Sequence, residues 1–368
     1  MTNKKILNFI PNFSFGGVEI TNLNLSKELS DLNYEVDFVT NNITNLQYEI
    51  NQTVKIKSFN ESKMRFCLIH LIKYIRRTKP DVIISSQFHA NLIMILACIF
   101  SGYKNKIIIC ERVPVLENLK YISVFKRQLI KLMIKILYKF ADHIIYNSYG
   151  TKNDLETLVK IENGTVIYNP VLNNDILIKS NSLVDDFEFN ANTVYLIVVS
   201  RLSYEKNILE LLDIISLIPS NYNFKLLIIG DGPLLNSAKA HSEYLGINDK
   251  VLFLGFKNNP YKYLKYSDIY LSTSKFEGMG NSIVEALHFG LDVISYKSPG
   301  GVNEILGDGK FGKIIQYGKK ELFADYLINN FKKKNPNNSK ELVSHLEKFD
   351  SNKVVDKFIK VIQKINNE

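Results

Sequence analysis

The chain has 368 residues, 46% of them apolar, three cysteines and a formal net charge of +9. That length exceeds one ordinary core and fits two domains of typical size, and the apolar share excludes disorder on a domain scale. Cys67, Cys98 and Cys110 stand far apart in apolar or strand-like settings, which excludes a disulfide framework and fits a reducing cytoplasm.

The N-terminal run MTNKKILNFIPNF carries two lysines but is interrupted by Asn8 and Pro11, so it does not read as a signal peptide. ILNFI (6–10) reads as a strand, followed by a glycine loop and a helix to about Asn33. Further strands are expected at 36–39, 53–59, 81–86, 106–110, 143–148 and 165–169, with helical patterns between most of them. This alternation, with nearly continuous apolar strands, implies a parallel sheet covered on both faces. The longest apolar stretch, Leu92 to Phe100, is too short to span a bilayer.

Residues 1–175 hold 22 Lys+Arg against 15 Asp+Glu, whereas the remainder holds 24 against 22, so the positive excess sits in the first half. Its densest part is KYISVFKRQLIKLMIKILYKF (120–140), where Arg127, Lys131, Lys135 and Lys139 recur every fourth residue. Other faces of that helix carry Phe125, Leu129, Leu132, Met133, Ile136 and Leu137. Two readings stand: docking onto an anionic lipid surface, or a surface helix packed on its sheet with a solvated lysine face. No recognition motif or aromatic platform favours nucleic acid.

Residues 170–192, rich in Asn, Asp and Ser, break the rhythm and read as an interdomain linker. Strands resume at 193–200, 224–230, 250–255, 268–273 and 292–296. A polar stretch near 332–340 then precedes a last helix from about Glu341 to Ile365. The expected organisation is a first Rossmann-like domain (1–170), a linker (171–192), a second Rossmann-like domain (193–345) and a C-terminal helix (346–368) packing back toward the first. Ligands of doubly wound sheets bind at the carboxyl ends of the strands.

The loops at those ends carry the chemistry. PNFSFGGVE (11–19) sets Gly16 and Gly17 at a helix start, where bare amides can approach an anion. It is not the longer glycine fingerprint of nicotinamide or flavin binders. SRLSYEKN (200–207) places Arg201 and Lys206 in one loop, a planar donor fork beside a mobile charge suited to a diphosphate; they also read as plain surface cations. IIGDGPL (228–234) ends a strand in glycines, with Pro233 suited to a first helical position. SPGGVNEIL (298–306) is one more glycine-rich helix start. FEGMGNSIVEALHFG (276–290) sets Glu277 and Glu285 on either side of a strand-to-helix turn. Structurally, Ser282 and Glu285 read as a capping box and Glu277 as a loop charge; functionally, both carboxylates face one crevice. No Asp-x-Asp occurs, and no Cys or His cluster has ligand spacing, so no metal cofactor is expected.

Together GGVE, SRLSYEKN, GDGPL, FLGFKNN and FEGMGNSIVEALHFGLDVIS…PGGVNEIL resemble the retaining, nucleotide-sugar-dependent glycosyltransferases of the GT-B fold, in the large fourth sequence family. The resemblance covers most of the chain and is strongest from about 193 to 312. It implies two Rossmann-like α/β domains facing across a cleft. Glu277 and Glu285 match the family's E-x7-E signature, Glu285 gripping the ribose and Glu277 the donor sugar. The backbone around Gly278, Met279, Gly280, Asn281 and Ser282 would hold sugar hydroxyls or phosphate. Arg201 and Lys206 match the cations that neutralise the departing diphosphate, replacing a metal. Gly16 or Gly17 would add amides from the first domain, and Gly255, Phe256 and Lys257 would meet the base through their main chain.

One departure concerns a histidine that many members carry at the end of a late first-domain strand. KIIIC ends instead in Glu111-Arg112, as in a subgroup that builds bacterial surface glycans and lipid-linked oligosaccharides from UDP-sugars such as GlcNAc, GalNAc or galactose. Glu111 and Arg112 are candidates at donor or acceptor, or a structural ion pair. His89, after another strand, is a second candidate. The resemblance implies a cytoplasmic enzyme peripheral on the inner face of the plasma membrane, with a nucleotide-sugar donor and a glycan or lipid-linked acceptor. A nucleotide-sugar epimerase of the same fold and a non-enzymatic two-domain sugar-binding protein are the alternatives, the latter requiring an export signal.

Overall fold

A computed structural model describes residues 4–13, 16–43, 54–104, 106–331 and 339–367. Ser14 and Phe15 of the first glycine loop, Thr53 of the expected third strand and nearly all of the polar stretch near 332–340 lie outside the described residues. The chain forms two compact units, Met1–Pro170 with Asp350–Glu368, and Val171–Phe349.

In the first unit the elements run β1 (Lys5–Phe13), α1 (Gly17–Asp31), β2 (Glu35–Ile43), β3 (Lys55–Ser58), α2 (Cys67–Thr78), β4 (Val82–Ser86) and α3 (Phe88–Ser101). They continue through β5 (Lys106–Glu111), α4 (Val115–Leu119), α5 (Val124–Leu137), β6 (His143–Tyr146), α6 (Tyr149–Glu156) and β7 (Gly164–Val166). The strands form one parallel sheet in the order β3-β2-β1-β4-β5-β6-β7. Successive strand residues point to opposite faces, which explains the near-continuous apolar runs. Leu7, Phe9, Ile83, Ile107 and Ile109 pack with α2, α3 and α5. Ile6, Val82, Ile84, Ile108 and Ile145 pack with α1 and with the C-terminal helix α15 (Ser351–Asn367). Helix α15 buries Val354, Val355, Phe358, Val361, Ile362 and Ile365, recurring at helical spacing on one side. Each such side chain contributes on the order of 1.5–3 kcal/mol.

The second unit contains α7 (Asn174–Ser180), β8 (Val194–Val199), α8 (Ile208–Ser216), β9 (Phe224–Ile229), α9 (Leu235–Tyr244), β10 (Val251–Gly255) and α10 (Tyr261–Leu264). After them come β11 (Ile269–Ser272), α11 (Asn281–His288), β12 (Asp292–Lys297), α12 (Val302–Ile305), β13 (Lys313–Gln316), α13 (Lys320–Asn329) and α14 (Lys340–Leu346). Its parallel sheet has the order β10-β9-β8-β11-β12-β13, so the strand order reverses between β8 and β11. That reversal opens a crevice at the carboxyl ends of these two strands.

Three expectations need correction. Residues 171–192 fall within the second unit rather than forming a separate linker, and there Asn173 caps α7 by accepting from the Ile176 amide at 3.2 Å. Asp185 and Asp186 then tie the following segment to Lys262 and Lys257 at 2.7 and 2.5 Å, within the second unit. The last helix is two helices, α14 and α15, broken around Asp350, whose carboxylate accepts from the Lys353 amide at 3.0 Å. Pro233 does not open a helix; α9 begins two residues later, at Leu235.

Candidate strand-end site in the second unit

The residues that the sequence singles out in the second unit gather at the β8/β11 reversal. After β8 the chain buries Leu202, makes a 3₁₀ turn through Tyr204–Lys206 and reaches Asn207, at φ +56°, before α8. The Thr273 hydroxyl, at the end of β11, donates to the carbonyls of Lys206 and Asn207 at 3.3 and 3.2 Å. The Lys275 amide donates to the Glu205 carbonyl at 2.8 Å. These bonds stitch the Lys206 turn to the loop that carries Glu277. Lys206 Nζ lies 2.6 Å from Glu277 Oε1, and the Ser274 hydroxyl donates to the same oxygen at 2.7 Å. The pair is mostly sheltered, the lysine side chain 23% and the glutamate side chain 12% exposed.

The loop after β12 is zipped onto this one. The Glu277 amide donates to the Pro299 carbonyl at 2.9 Å, and the Gly301 amide to the Gly278 carbonyl at 3.0 Å. Gly300 sits at φ +112°, where a Cβ would lie 1.5 Å from the Glu277 carbonyl oxygen, so no side chain fits. Gly280, at φ +91°, turns the chain into α11, leaving Met279 buried and Asn281 and Ser282 half-buried in the first turn.

Glu285 projects one turn into α11. Burial pushes its carboxyl up to about 7, offset in part by a hydrogen bond from Tyr261. Burial raises the pKa of the Tyr270 phenol, and the charges of Glu277 and Glu285 add to that rise. The capping-box reading is corrected here. Gly280 is the N-cap, and the Ser282 hydroxyl instead pairs with the Tyr270 hydroxyl at 2.6 Å.

The other expected ligand groups of this unit fall at neighbouring strand ends. Arg201 is exposed, and its guanidinium has no ion-pair partner among the described residues. Gly255 ends β10 at φ +70°, its carbonyl accepting from the Gly230 amide at 2.9 Å. Phe256 is 40% exposed. The Lys257 ammonium is paired with Asp186 at 2.5 Å.

In the first unit, Gly16 precedes α1 and Gly17 opens it, but the Glu19 carboxylate already lies over Gly16. His89 stands in the first turn of α3, and burial holds its imidazole down at about 4, hence neutral near pH 7. Glu111 and Arg112 are fully buried and do not pair with each other, so the structural ion pair is not formed. Glu111 accepts from the Tyr138 hydroxyl and from Asn91 Nδ2 (2.9 Å), and burial pushes its carboxyl up to about 7. Arg112 points to the other face, donating to Asn169 Oδ1 at 2.9 Å with its guanidinium over the Phe358 ring.

Known families match both units. The family described as "Glycosyltransferase Family 4" matches residues 15–172, and "Glycosyl transferases group 1" matches residues 181–332, so the two together span most of the chain. The chain is a GT-B glycosyltransferase of the family 4 type. This glycosyltransferase is 28% identical over 319 residues to the amylovoran biosynthesis glycosyltransferase AmsD of Erwinia amylovora, covering 85% of each chain. It is also 28% identical over 257 residues to the N-acetylgalactosamine-N,N'-diacetylbacillosaminyl-diphospho-undecaprenol 4-alpha-N-acetylgalactosaminyltransferase of Campylobacter jejuni, covering 69% of this chain and 68% of that one. Across the first relatives matched, the alignments span between 60% and 85% of their length. In fold it is similar to Anabaena Alr3699/HepE in complex with UDP, at TM-score 0.75 and 18% identity, covering 98% of this chain and 100% of that one.

Sequence reading missed two partners in the glycosyltransferase's site. Ser274 lies three residues before Glu277, and its role was open to a local reading of the loop. Tyr261 reaches Glu285 from 24 positions earlier, and no local pattern announces it.

Proposed function

We propose that this glycosyltransferase is a retaining, metal-independent enzyme that moves a hexose or N-acetylhexosamine from a UDP-sugar to a lipid-linked or polysaccharide acceptor. It works as a peripheral enzyme on the inner face of the plasma membrane, in bacterial surface-glycan synthesis. The observation that carries the reading is the Lys206–Glu277 pair at 2.6 Å at the strand-order reversal. A UDP complex of a fold neighbour and an undecaprenol-linked acceptor in a relative's name favour the same donor and acceptor classes.

In this reading, Glu285 accepts hydrogen bonds from the two ribose hydroxyls, a task for a carboxylate rather than a carboxylic acid. Arg201, exposed and without an ion pair, and Lys206 converge on the diphosphate and neutralise the charge that grows as the sugar leaves. Glu277, fixed by Lys206 and Ser274, is aligned to hold a sugar hydroxyl; a donor phosphate entering beside Lys206 shares the ammonium with it. Retention follows if the acceptor hydroxyl attacks from the face the diphosphate leaves, and that phosphate takes the hydroxyl's proton.

The test is incubation of the full chain with UDP-GlcNAc, UDP-GalNAc and UDP-galactose and an undecaprenyl-diphosphate-linked sugar, with chelator present. Transfer with an α-linked product supports the reading. Loss of turnover on chelation, or isomerisation of the donor without any acceptor, overturns it.

A further inference from the structure

Helix α5 turns an apolar face outward. It buries Ile134 and Leu137 against its own unit. Yet Phe125 is 81% exposed, and Leu129, Leu132, Ile136 and Phe140 are each about half exposed, at 49%, 54%, 52% and 55%. At the helical repeat the first four fall within an arc of about 60°, opposite the buried face. Exposed Lys135 and Lys139 border that arc on one side, and exposed Lys126 borders it on the other. The four-residue basic stripe is redistributed accordingly: Lys131 is half-buried, and Arg127 rotates toward the core, its Nε sealed from solvent. No acidic residue occurs in α5. A solvated lysine face, the second reading of this helix, places cations outermost; here large apolar side chains are outermost and cations flank them.

We infer that α5 lies in the plane of an anionic lipid bilayer. Phe125, Leu129, Leu132, Ile136 and Phe140 enter the boundary between headgroups and acyl chains, while Lys126, Lys135 and Lys139 contact lipid phosphates. Five large apolar side chains left in water forgo stabilisation that only an apolar partner supplies. A second copy of the chain is a poorer partner, because a two-fold contact sets lysines against lysines around the apolar centre. An anionic membrane satisfies both features at once. The inference rests on the reading that the acceptor is lipid-linked, and it names the surface that brings the enzyme to that lipid.

The experiment measures co-sedimentation of the full chain with acceptor-free vesicles of phosphatidylcholine alone or mixed with phosphatidylglycerol, at low and high salt. Binding is expected to the mixed vesicles and to weaken with salt. Neutralising K126Q/K135Q/K139Q is expected to lower partition by on the order of 100-fold. L129S/L132S/I136S is expected to lower it by a similar factor or more. A thermal shift by UDP, read in each variant, checks that the chain is folded; the lysine variant, confined to the surface, decides the matter should the serine variant misfold. Equal binding to both vesicle types, unchanged binding of the lysine variant, or a concentration-dependent dimer that the serine variant abolishes overturns the inference. Because the vesicles hold neither donor nor acceptor, any of these outcomes leaves the transfer reading untouched.

Discussion

Glu277, in a strand-end loop, and Glu111, the last residue of β5, each have a cation at hand, yet their surroundings oppose each other. Glu277 is reached by Lys206 from a different loop and keeps partial contact with solvent. Glu111 is sealed, held by Tyr138 and Asn91, and its neighbour Arg112 turns away from it. Adjacency in sequence on a strand puts side chains on opposite faces, whereas two loops meeting at a strand-order reversal put them together. A partly open, cross-loop ion pair can exchange its partner for a ligand. A sealed carboxyl, with two donors on Oε1 and Oε2 unpartnered, is closed to such exchange.

The largest expected effect separates the two. Glu277→Ala, Lys206→Ala and Glu285→Ala each lower transfer by about 10²–10³-fold, read as UDP release, with melting temperatures near the parent value. Turnover within a few-fold of the parent in all three breaks the comparison. Glu111→Ala is expected to act the other way round, costing about 1–3 kcal/mol because it leaves the Tyr138 and Asn91 donors unsatisfied. Turnover per folded molecule stays within a few-fold, as thermal unfolding read alongside kinetics shows. A stable but inactive variant places Glu111 in the chemistry instead.

A third test uses pH. Burial raises Glu285 to about 7, and in the proposed role only its ionised form would accept two ribose bonds. Nucleotide affinity should therefore climb as pH passes upward through about 7, and Glu285→Gln should flatten that rise. Titration calorimetry with UDP across the range provides the measurement. Glu111, also raised to about 7 from 4.5, contributes stability that is full below the unfolded value and is lost as pH rises through 7. Glu111→Gln should remove that loss. The smallest effect belongs to Tyr261→Phe, which removes one hydrogen bond to Glu285 and should weaken UDP binding about 3- to 10-fold.

What was legible follows the range of the forces involved. The alternating strands are local: β-branched runs and their flanking turns sit within a few residues, and all but one were anticipated. The exception, β13, is four residues long, with lysine and glutamine at its ends, and is held by pairing to β12 rather than by its own pattern. Helix α7 hides in an Asn- and Ser-rich stretch because its cap and the Asp185 and Asp186 ties, not its propensity, keep it in place. The glutamate pair was readable because a loop and a single helical turn fix its spacing. The capping box was misjudged, since Gly280 takes the cap and Tyr270, twelve residues back, claims the Ser282 hydroxyl. The outward apolar face of α5 needed the structure, because the sequence shows two apolar arcs and does not say which is inside.

Helix α15 completes the first unit only after the chain has passed through the whole of the second. Residues 351–367 leave the ribosome only after the second unit, so the nascent first unit waits with Ile6, Val36, Val82, Ile84, Ile108 and Ile145 covered on that side of its sheet by α1 but not yet by α15. Vectorial synthesis thus makes the second unit's emergence a precondition for closing the first. Severing the chain before Asp350 removes a keystone from a body nearly two hundred residues upstream.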